Sequence, residues 1–231
     1  MKLWRVDNVM TTDVVSVRED TPYRDVVNLL IGRRVSAVPV VDRFGYVVGV
    51  VSEADLLHKV EASGDAKPRT FESRRRRAER VKAGGRTAGD VMTSPAVCVL
   101  PSLAVAAAAR RMHQEGVKRL PVEDDLGRLV GIVTRSDLLK VHLRSDAAIR
   151  RDVTEEVFRQ ILAIEPGQVS VESTDGVVTL AGRTHFRSTA DQTLQLTRQV
   201  PGVVAVAGEV SYDVDDRLAV GSETGVPFGV A

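Results

Sequence analysis

Two short runs in the 231-residue chain set a hydroxyl and a carboxylate at a spacing that could do chemistry. They are Gly49-Val50-Val51-Ser52-Glu53-Ala54-Asp55 and Gly131-Ile132-Val133-Thr134-Arg135-Ser136-Asp137. In each, an apolar segment passes through glycine into Ser or Thr, and Asp follows one helical turn later, where Leu56-Leu57 or Leu138-Leu139 begins a helix. Such a strand-to-helix junction supports two readings. Ser52 and Thr134 stand where an N-cap hydroxyl belongs, with Asp55 and Asp137 as the favoured first-turn acids. The same geometry offers unpaired N–H groups and a hydroxyl to a phosphate, and an Asp one turn in can accept hydrogen bonds from ribose hydroxyls. Neither reading excludes the other.

The elements that must position these residues are duplicated. The two runs lie 82 positions apart, and the same gapless offset aligns Val9-Met10-Thr11 with Val91-Met92-Thr93, Pro39-Val40 with Pro121-Val122, Asp42 with Asp124 and Gly45 with Gly127. One register over so many anchors identifies an internal repeat. Each copy reads as a partly alternating strand (Val9 to Val17; Ala96 to Leu100), a helix, two strands joined by a turn, and a closing helix. The first helix of copy one is expected from Tyr23 to Gly32 after Asp20-Thr21-Pro22. That of copy two is expected from Pro101-Ser102 through an alanine-rich stretch to Met112. A unit of about 60 residues is too small to bury a sheet face comfortably alone. The copies should therefore pack about a pseudo-twofold axis with a pocket between them, in a mixed α/β (α+β) fold.

Composition narrows the function. With 43% hydrophobic residues the chain can build real cores, and Lys+Arg 32 against Asp+Glu 31 leaves +1, so no global field recruits nucleic acid or an anionic membrane. The single cysteine, Cys98, excludes an internal disulfide and reads as a small buried hydrophobe. His58, His113, His142 and His185 are scattered without ligand spacing, so no metal is expected, and no catalytic group is expected either. The start, Met1 to Asp7, lacks a signal-peptide core and no apolar run is long enough to span a bilayer, which suggests a cytoplasmic protein.

The Val-Met-Thr openings, Val38-Pro39-Val40-Val41-Asp42 with Leu120-Pro121-Val122-Glu123-Asp124, and both closing runs resemble the tandem cystathionine-β-synthase (CBS) domain, or Bateman module, over about residues 6 to 145. The resemblance implies that Ser52, Asp55, Thr134 and Asp137 meet the ribose and phosphate of an adenine nucleotide. It places Thr12, Val14, Ser94 and Ala96 near the base. Copy two adds Lys118, Arg119 and Arg135 where copy one has Ser36, Ala37 and Glu53, and charge-assisted contacts to phosphate are about twice as strong as neutral ones. Because such modules mix pocket halves between copies, these cations remain unassigned to one site.

Between the copies the linker carries Arg74-Arg75-Arg76-Arg77, Arg80 and Lys82. It reads either as a solvated run or as an anion patch for lipid headgroups or nucleic acid, the latter disfavoured for want of interleaved aromatics. After copy two a helix is expected over residues 147 to 164 with Val153, Val157, Ile161 and Ile164 on one face, stopped by Glu165-Pro166-Gly167. A hairpin with its turn at Thr174-Asp175-Gly176 follows, then a helix with Phe186, Ala190, Leu194, Thr197 and Val200 in register, and a strand from Val203 through Val210. This αββαβ order, with Gly176 to Gly182 and Val200 to Val206, resembles the BON domain, named for bacterial osmotic-stress and nodulation members and associated with phospholipid or envelope components.

The domains expected are thus CBS 1 (1–62), basic linker (63–86), CBS 2 (87–145), BON (146–216) and a flexible tail (217–231). The implied function is a non-enzymatic regulatory sensor that binds an adenine nucleotide, AMP or ATP first, with no catalytic cofactor. It would act as a homodimer through apolar stripes from Val26 to Leu30 and Val105 to Met112, with a protein or phospholipid partner at the BON domain. The rival readings are an envelope-surface adaptor whose CBS pair is a dimerisation scaffold, and a nucleic-acid binder acting through the linker.

Overall fold

A computed structural model describes residues 4–62 and 82–217. The arginine run Arg74 to Arg77, Arg80 and the expected tail beyond Arg217 lie outside the described residues. The chain divides into two compact units, residues 5–138, and residues from 139 onward together with Trp4.

In the first copy β1 (Val17–Arg18) runs parallel to β2 (Ala37–Val41), which pairs antiparallel with β3 (Val47–Ser52); α1 (Tyr23–Arg33) and α2 (Glu53–Ala62) complete the copy. In the second, α3 (Ala88–Val91) and α4 (Val105–Gln114) precede the antiparallel pair β4 (Arg119–Glu123) and β5 (Leu129–Thr134), and α5 (Arg135–Leu139) closes it. The β-branched content of these short strands suits two-sided burial, and Val38, Val40 and Val51 are buried with Val26 and Leu30 of α1. Both hairpins slip register at the same repeat position, between Val40 and Val41 and between Val122 and Glu123.

The copies exchange their openings. Thr11 pairs both its backbone groups with Ile132 of β5 (2.9 Å each), and Thr93 does the same with Val50 of β3 (2.8 and 3.0 Å). The expected strand Val9 to Val17 therefore shrinks to β1, since Thr11 is committed to the other copy. The expected strand Ala96 to Leu100 reduces to one bridge, Val99 to Val122, and the helix after it starts at Val105 rather than at Pro101-Ser102. The leading turns cross as well. The 3-10 turn Val6–Asn8 docks on copy two through Val6 N–H to the Leu103 carbonyl, while α3 docks on copy one through Ala88 N–H to the Thr21 carbonyl, both 2.8 Å.

This exchange explains the repeated glycines. A Cβ on Gly49 would stand within 3.1 Å of the Thr93 carbonyl and collide with the Met92 side chain; one on Gly131 would meet Met10 and the Thr11 carbonyl in the same way. Only glycine lets the opening of one copy lie flat on the closing strand of the other. The stripes expected to form a dimer face are used internally: Val26, Leu30, Val105, Ala108 and Met112 are all buried. The large exposed apolar side chains of this unit include Ile31 (72%), Leu57 (53%) and Val60 (66%), with Phe44 and Leu126 also exposed.

In the second unit α6 (Asp146–Asp152) continues into a π-helix (Val153–Ile161), followed by β6 (Val169–Thr174), β7 (Val177–Phe186), α7 (Arg187–Thr197) and β8 (Ala205–Val214). β7 is central, antiparallel to β6 and parallel to β8. The order is the expected αββαβ, with two departures. The π-helical bonding turns each residue through a smaller angle than an α-helix, so Phe158 joins Val153 and Val157 in the core and Ile161 is left exposed. Phe186 ends β7 and is exposed, so the inward face of α7 is Ala190, Thr193 and Thr197. Residues ahead of 146 also pack in this unit. Gly202 packs against the Val141 carbonyl and the Arg144 side chain, and Arg144 donates to the Pro201 carbonyl (2.7 Å) and pairs with Asp152 (2.5 Å).

Candidate nucleotide site

The exchange creates two related cavities within the unit of residues 5–138. Site one, about 280 Å³, is walled by the closing run of copy one (Ser52, Glu53, Ala54, Asp55), the opening of copy two (Thr93, Pro95, Ala96, Val97) and Gly116, Val117, Lys118 and Arg119. Site two, about 250 Å³, takes Thr11, Asp13, Val14 and Val15 from copy one's opening, Arg34 to Ala37 ahead of β2, and Thr134 from copy two. Each cavity thus joins the hydroxyl end of one copy to the Met-Thr end of the other. Arg119 borders both.

At both closing runs the hydroxyl and the carboxylate are bonded together. Asp55 Oδ2 accepts from Ser52 N–H (2.9 Å) and Ser52 Oγ (2.6 Å), and Asp137 Oδ2 accepts from Thr134 N–H (2.9 Å) and Thr134 Oγ1 (2.7 Å). In copy two Asp137 N–H also donates back to Thr134 Oγ1 (3.2 Å), which completes a reciprocal cap. Both aspartates are only 8% exposed. The cap reading therefore holds in the structure, and the caps sit at cavity walls.

Asp55 has a further neighbour that the motif does not contain. Lys82 Nζ donates to Asp55 Oδ1 (2.5 Å) and to Thr93 Oγ1 (2.8 Å), and Thr93 Oγ1 donates to the same carboxylate oxygen (3.0 Å). Burial pushes the Asp55 carboxyl up, but hydrogen bonds from Lys82 and Ser52 and the lysine charge outweigh it and hold the group below the ordinary carboxylate value. Burial likewise lowers Arg119 from the ordinary guanidinium value, against the pull of Glu53 and Asp55. It remains a cation at neutral pH.

The expected residues divide accordingly. Ser52, Asp55, Ala96, Lys118 and Arg119 come together at site one, and Val14 and Thr134 at site two, with Asp137 bonded behind Thr134. Four stand outside both walls, Asp137 among them. Thr12 is exposed between the lining residues Thr11 and Asp13, Ser94 donates to the Val48 carbonyl (2.8 Å), and Arg135 donates to the Val117 carbonyl (3.1 Å). Arg34 and Asp13 were not expected at a site, and Lys82, expected only within the linker's charge run, is bonded to Asp55 instead. Arg34 had a signal: the repeat offset sets it opposite Gly116, and both adopt left-handed backbone (φ 53° and 66°). Cys98 is pushed up to about 12, by burial first and then by Glu123, and stays a thiol at neutral pH.

Residues 6–62 and 88–144 each match the CBS domain family, and residues 145–213 match the BON domain family. The chain belongs to the CBS-domain family, as a tandem pair followed by a BON domain. An uncharacterized protein of Methanocaldococcus jannaschii is 29% identical over 155 residues, 58% of this chain and 89% of its own length. Chloroplastic CBSX2 of Arabidopsis thaliana is 32% identical over 140 residues, 55% of this chain and 58% of its own. The inosine-5'-monophosphate dehydrogenase of M. jannaschii is 31% identical over 136 residues, of which the chain spans 23% of the enzyme's length. The crystal structure of CBSX2 in complex with AMP aligns at a TM-score of 0.54 with 32% identity, covering 61% of this chain and 97% of that one. Among the described residues no helix is long and apolar enough to cross a membrane.

Proposed function

We propose that the CBS pair is a regulatory module that binds adenine nucleotides in its two cavities and couples their occupancy to an interaction of the BON domain. The observation that carries this is the convergence, twice in one chain, of a hydroxyl-carboxylate cap with the Met-Thr opening of the other copy. Each cavity has an apolar side and a few convergent polar groups, and its 250–280 Å³ lies just below the range of about 300–1,000 Å³ usual for ligand pockets. The AMP complex of CBSX2, a relative similar over most of its own chain, supports the adenine class. In this reading Thr134 and Asp137 hold the phosphate and ribose at site two with Arg34 and Arg119 near the phosphate; Lys118 and Arg119 serve site one, and Val14 and Ala96 border the base. No reaction is proposed.

Chain continuity suggests the route of coupling: α5, which Asp137 opens, leads through the turn Lys140–Leu143 directly to α6 of the BON region. The module is further proposed to be a homodimer, with Ile31, Leu57 and Val60 as the covered apolar surface in place of the buried stripes. The test is isothermal titration of the full chain with AMP, ADP, ATP, S-adenosylmethionine and NAD, run beside light scattering. Saturable binding of at least one adenosyl ligand is expected, and no binding by any of the five removes the reading. A monomer at tens of micromolar removes the dimer alone.

A further inference from the structure

Site one contains its own competitor for the ribose. A carboxylate offers about four lone-pair sites, and Asp55 accepts Ser52 N–H, Ser52 Oγ, Lys82 Nζ and Thr93 Oγ1. All four are taken from within the chain. The two hydroxyls of a ribose can reach this carboxylate only by displacing Lys82 and Thr93.

The lysine is held in place rather than left to wander. Lys59 Nζ donates to the Gly85 carbonyl (2.7 Å), Gly85 N–H donates to the Lys82 carbonyl (3.0 Å), and a Cβ on Gly85 would stand 2.6 Å from Val91 Cγ1. The backbone that carries Lys82 is thereby clamped between α2 and α3. Its side chain is 21% exposed and bridges α2 to the opening of copy two at the cavity wall.

We infer that Lys82 is a specificity-determining residue that fills the ribose-accepting carboxylate of site one, so that this site does not select for a ribose diol. The inference rests on the nucleotide reading above. Site one then takes its ligand through base and phosphate, with Lys118 and Arg119 on the wall, and a 2′,3′-diol adds little to affinity there.

The test compares AMP with 2′,3′-dideoxy-AMP by titration calorimetry on the full chain carrying Asp137→Ala, which leaves site one to be read. Because both probes carry the same phosphate, their affinity ratio isolates the diol from any change in charge. With Lys82 present the ratio is expected below about threefold. In Lys82→Met it should rise by about tenfold, as expected when a charge-assisted hydrogen bond becomes available. Lys82→Arg, which keeps the ion pair, should return the ratio to its low value. Should Lys82→Met fail to fold, Lys82→Gln replaces it, with the ratio again expected to rise. A ratio that is already high with Lys82 in place, or that stays unchanged in a folded Lys82 variant that still binds AMP, overturns the inference and leaves the nucleotide reading standing. Absence of AMP binding in the wild-type chain, in Asp137→Ala and in Asp55→Ala alike brings down the reading itself.

Discussion

Where copy one brings Arg34, Val35, Ser36 and Ala37 to the cavity wall at site two, copy two brings Gly116, Val117, Lys118 and Arg119 to site one. The backbones match closely enough that Arg34 and Gly116 share the left-handed conformation and both β-hairpins slip at the same residue. The charges do not match. Site one sets Lys118 and Arg119 against Glu53 and Asp55, whereas site two sets Arg34 and Arg119 against Asp13. Duplication has kept the strand-to-helix cap and the glycine that admits the other copy's opening. It has let the side chains that would meet a ligand diverge. Two sites of one shape are therefore expected to differ in what they select.

The largest effect that would separate them is on binding. Asp137→Ala is expected to weaken AMP at site two by about tenfold or more, since a hydrogen bond to a charged group contributes about 1.5–3 kcal/mol. Asp55→Ala is expected to cost site one less than about tenfold, because Lys82 already competes for that carboxylate. A two-site calorimetric isotherm reads both. Equal losses at the two sites would end the comparison. A helix cap alone predicts a lower melting temperature with the AMP-induced shift retained.

The equivalence of the backbones can be broken directly at the glycines. Gly49→Val and Gly131→Val each force side-chain atoms into the Met and Thr of the opposite opening, and each should destabilise the unit by about 2–3 kcal/mol, the usual scale of overpacking. Chemical denaturation of the full chain reads the loss. A marked difference between the two variants would mean that the exchange is tighter on one side than the other.

What the sequence disclosed follows the same division. The repeat was readable because one offset governs both copies, and the caps because their signature is local: Ser52 with Asp55, Thr134 with Asp137. The make-up of each cavity was not, since Thr11 meets Ile132 and Thr93 meets Val50 only after the copies exchange openings. That pairing is non-local, and it turned two expected strands into a two-residue strand and a bridge. Lys82 belongs to the sequence after the linker arginines and carries no motif that would mark it as a partner of Asp55. Ile161 was misplaced because a 3.6-residue period was assumed where the helix is of π type. The same reasoning reached the αββαβ order correctly because glycine and proline punctuate its junctions.

Protonation sharpens the contrast further. Asp55 is held below its ordinary value in the folded chain, so the stability it contributes is complete above the unfolded carboxylate value, near 3.9, and is lost as pH falls through the depressed folded value. Lys82→Met removes the main partner and leaves a nearly buried carboxylate without its cation. The variant should be less stable than wild type by about 2 kcal/mol at pH 7. That gap should close as the pH is lowered through the carboxylate range, because a protonated Asp55 no longer needs the lysine. Denaturation of both chains from pH 7 to pH 3 tests this, and a gap independent of pH would show that Lys82 acts through packing rather than charge.

The smallest effect concerns Arg34, where site two keeps a side chain that its twin lacks. Arg34 caps α1 in the left-handed region (φ 53°, ψ 40°), its N–H bonded to the Leu30 and Ile31 carbonyls, and Gly116 holds the equivalent place without a Cβ. A non-glycine residue there costs about 1–2 kcal/mol, while glycine's freedom in the unfolded chain offsets about 0.4–1 kcal/mol of that. Arg34→Gly should therefore gain only about 0.5 kcal/mol, or about 1–2 °C in melting temperature for a chain of this size. The substitution also removes a cation from the wall of site two and none from site one. AMP should then bind site two several-fold more weakly, with the deficit larger for ATP than for AMP if the guanidinium meets phosphate. A chain that is slightly more stable but binds less well would show that the strain at Arg34 is kept for the ligand. A chain more stable with unchanged affinity at both sites would make Arg34 a tolerated cap, and the difference between the cavities would then rest on Lys82 and Lys118.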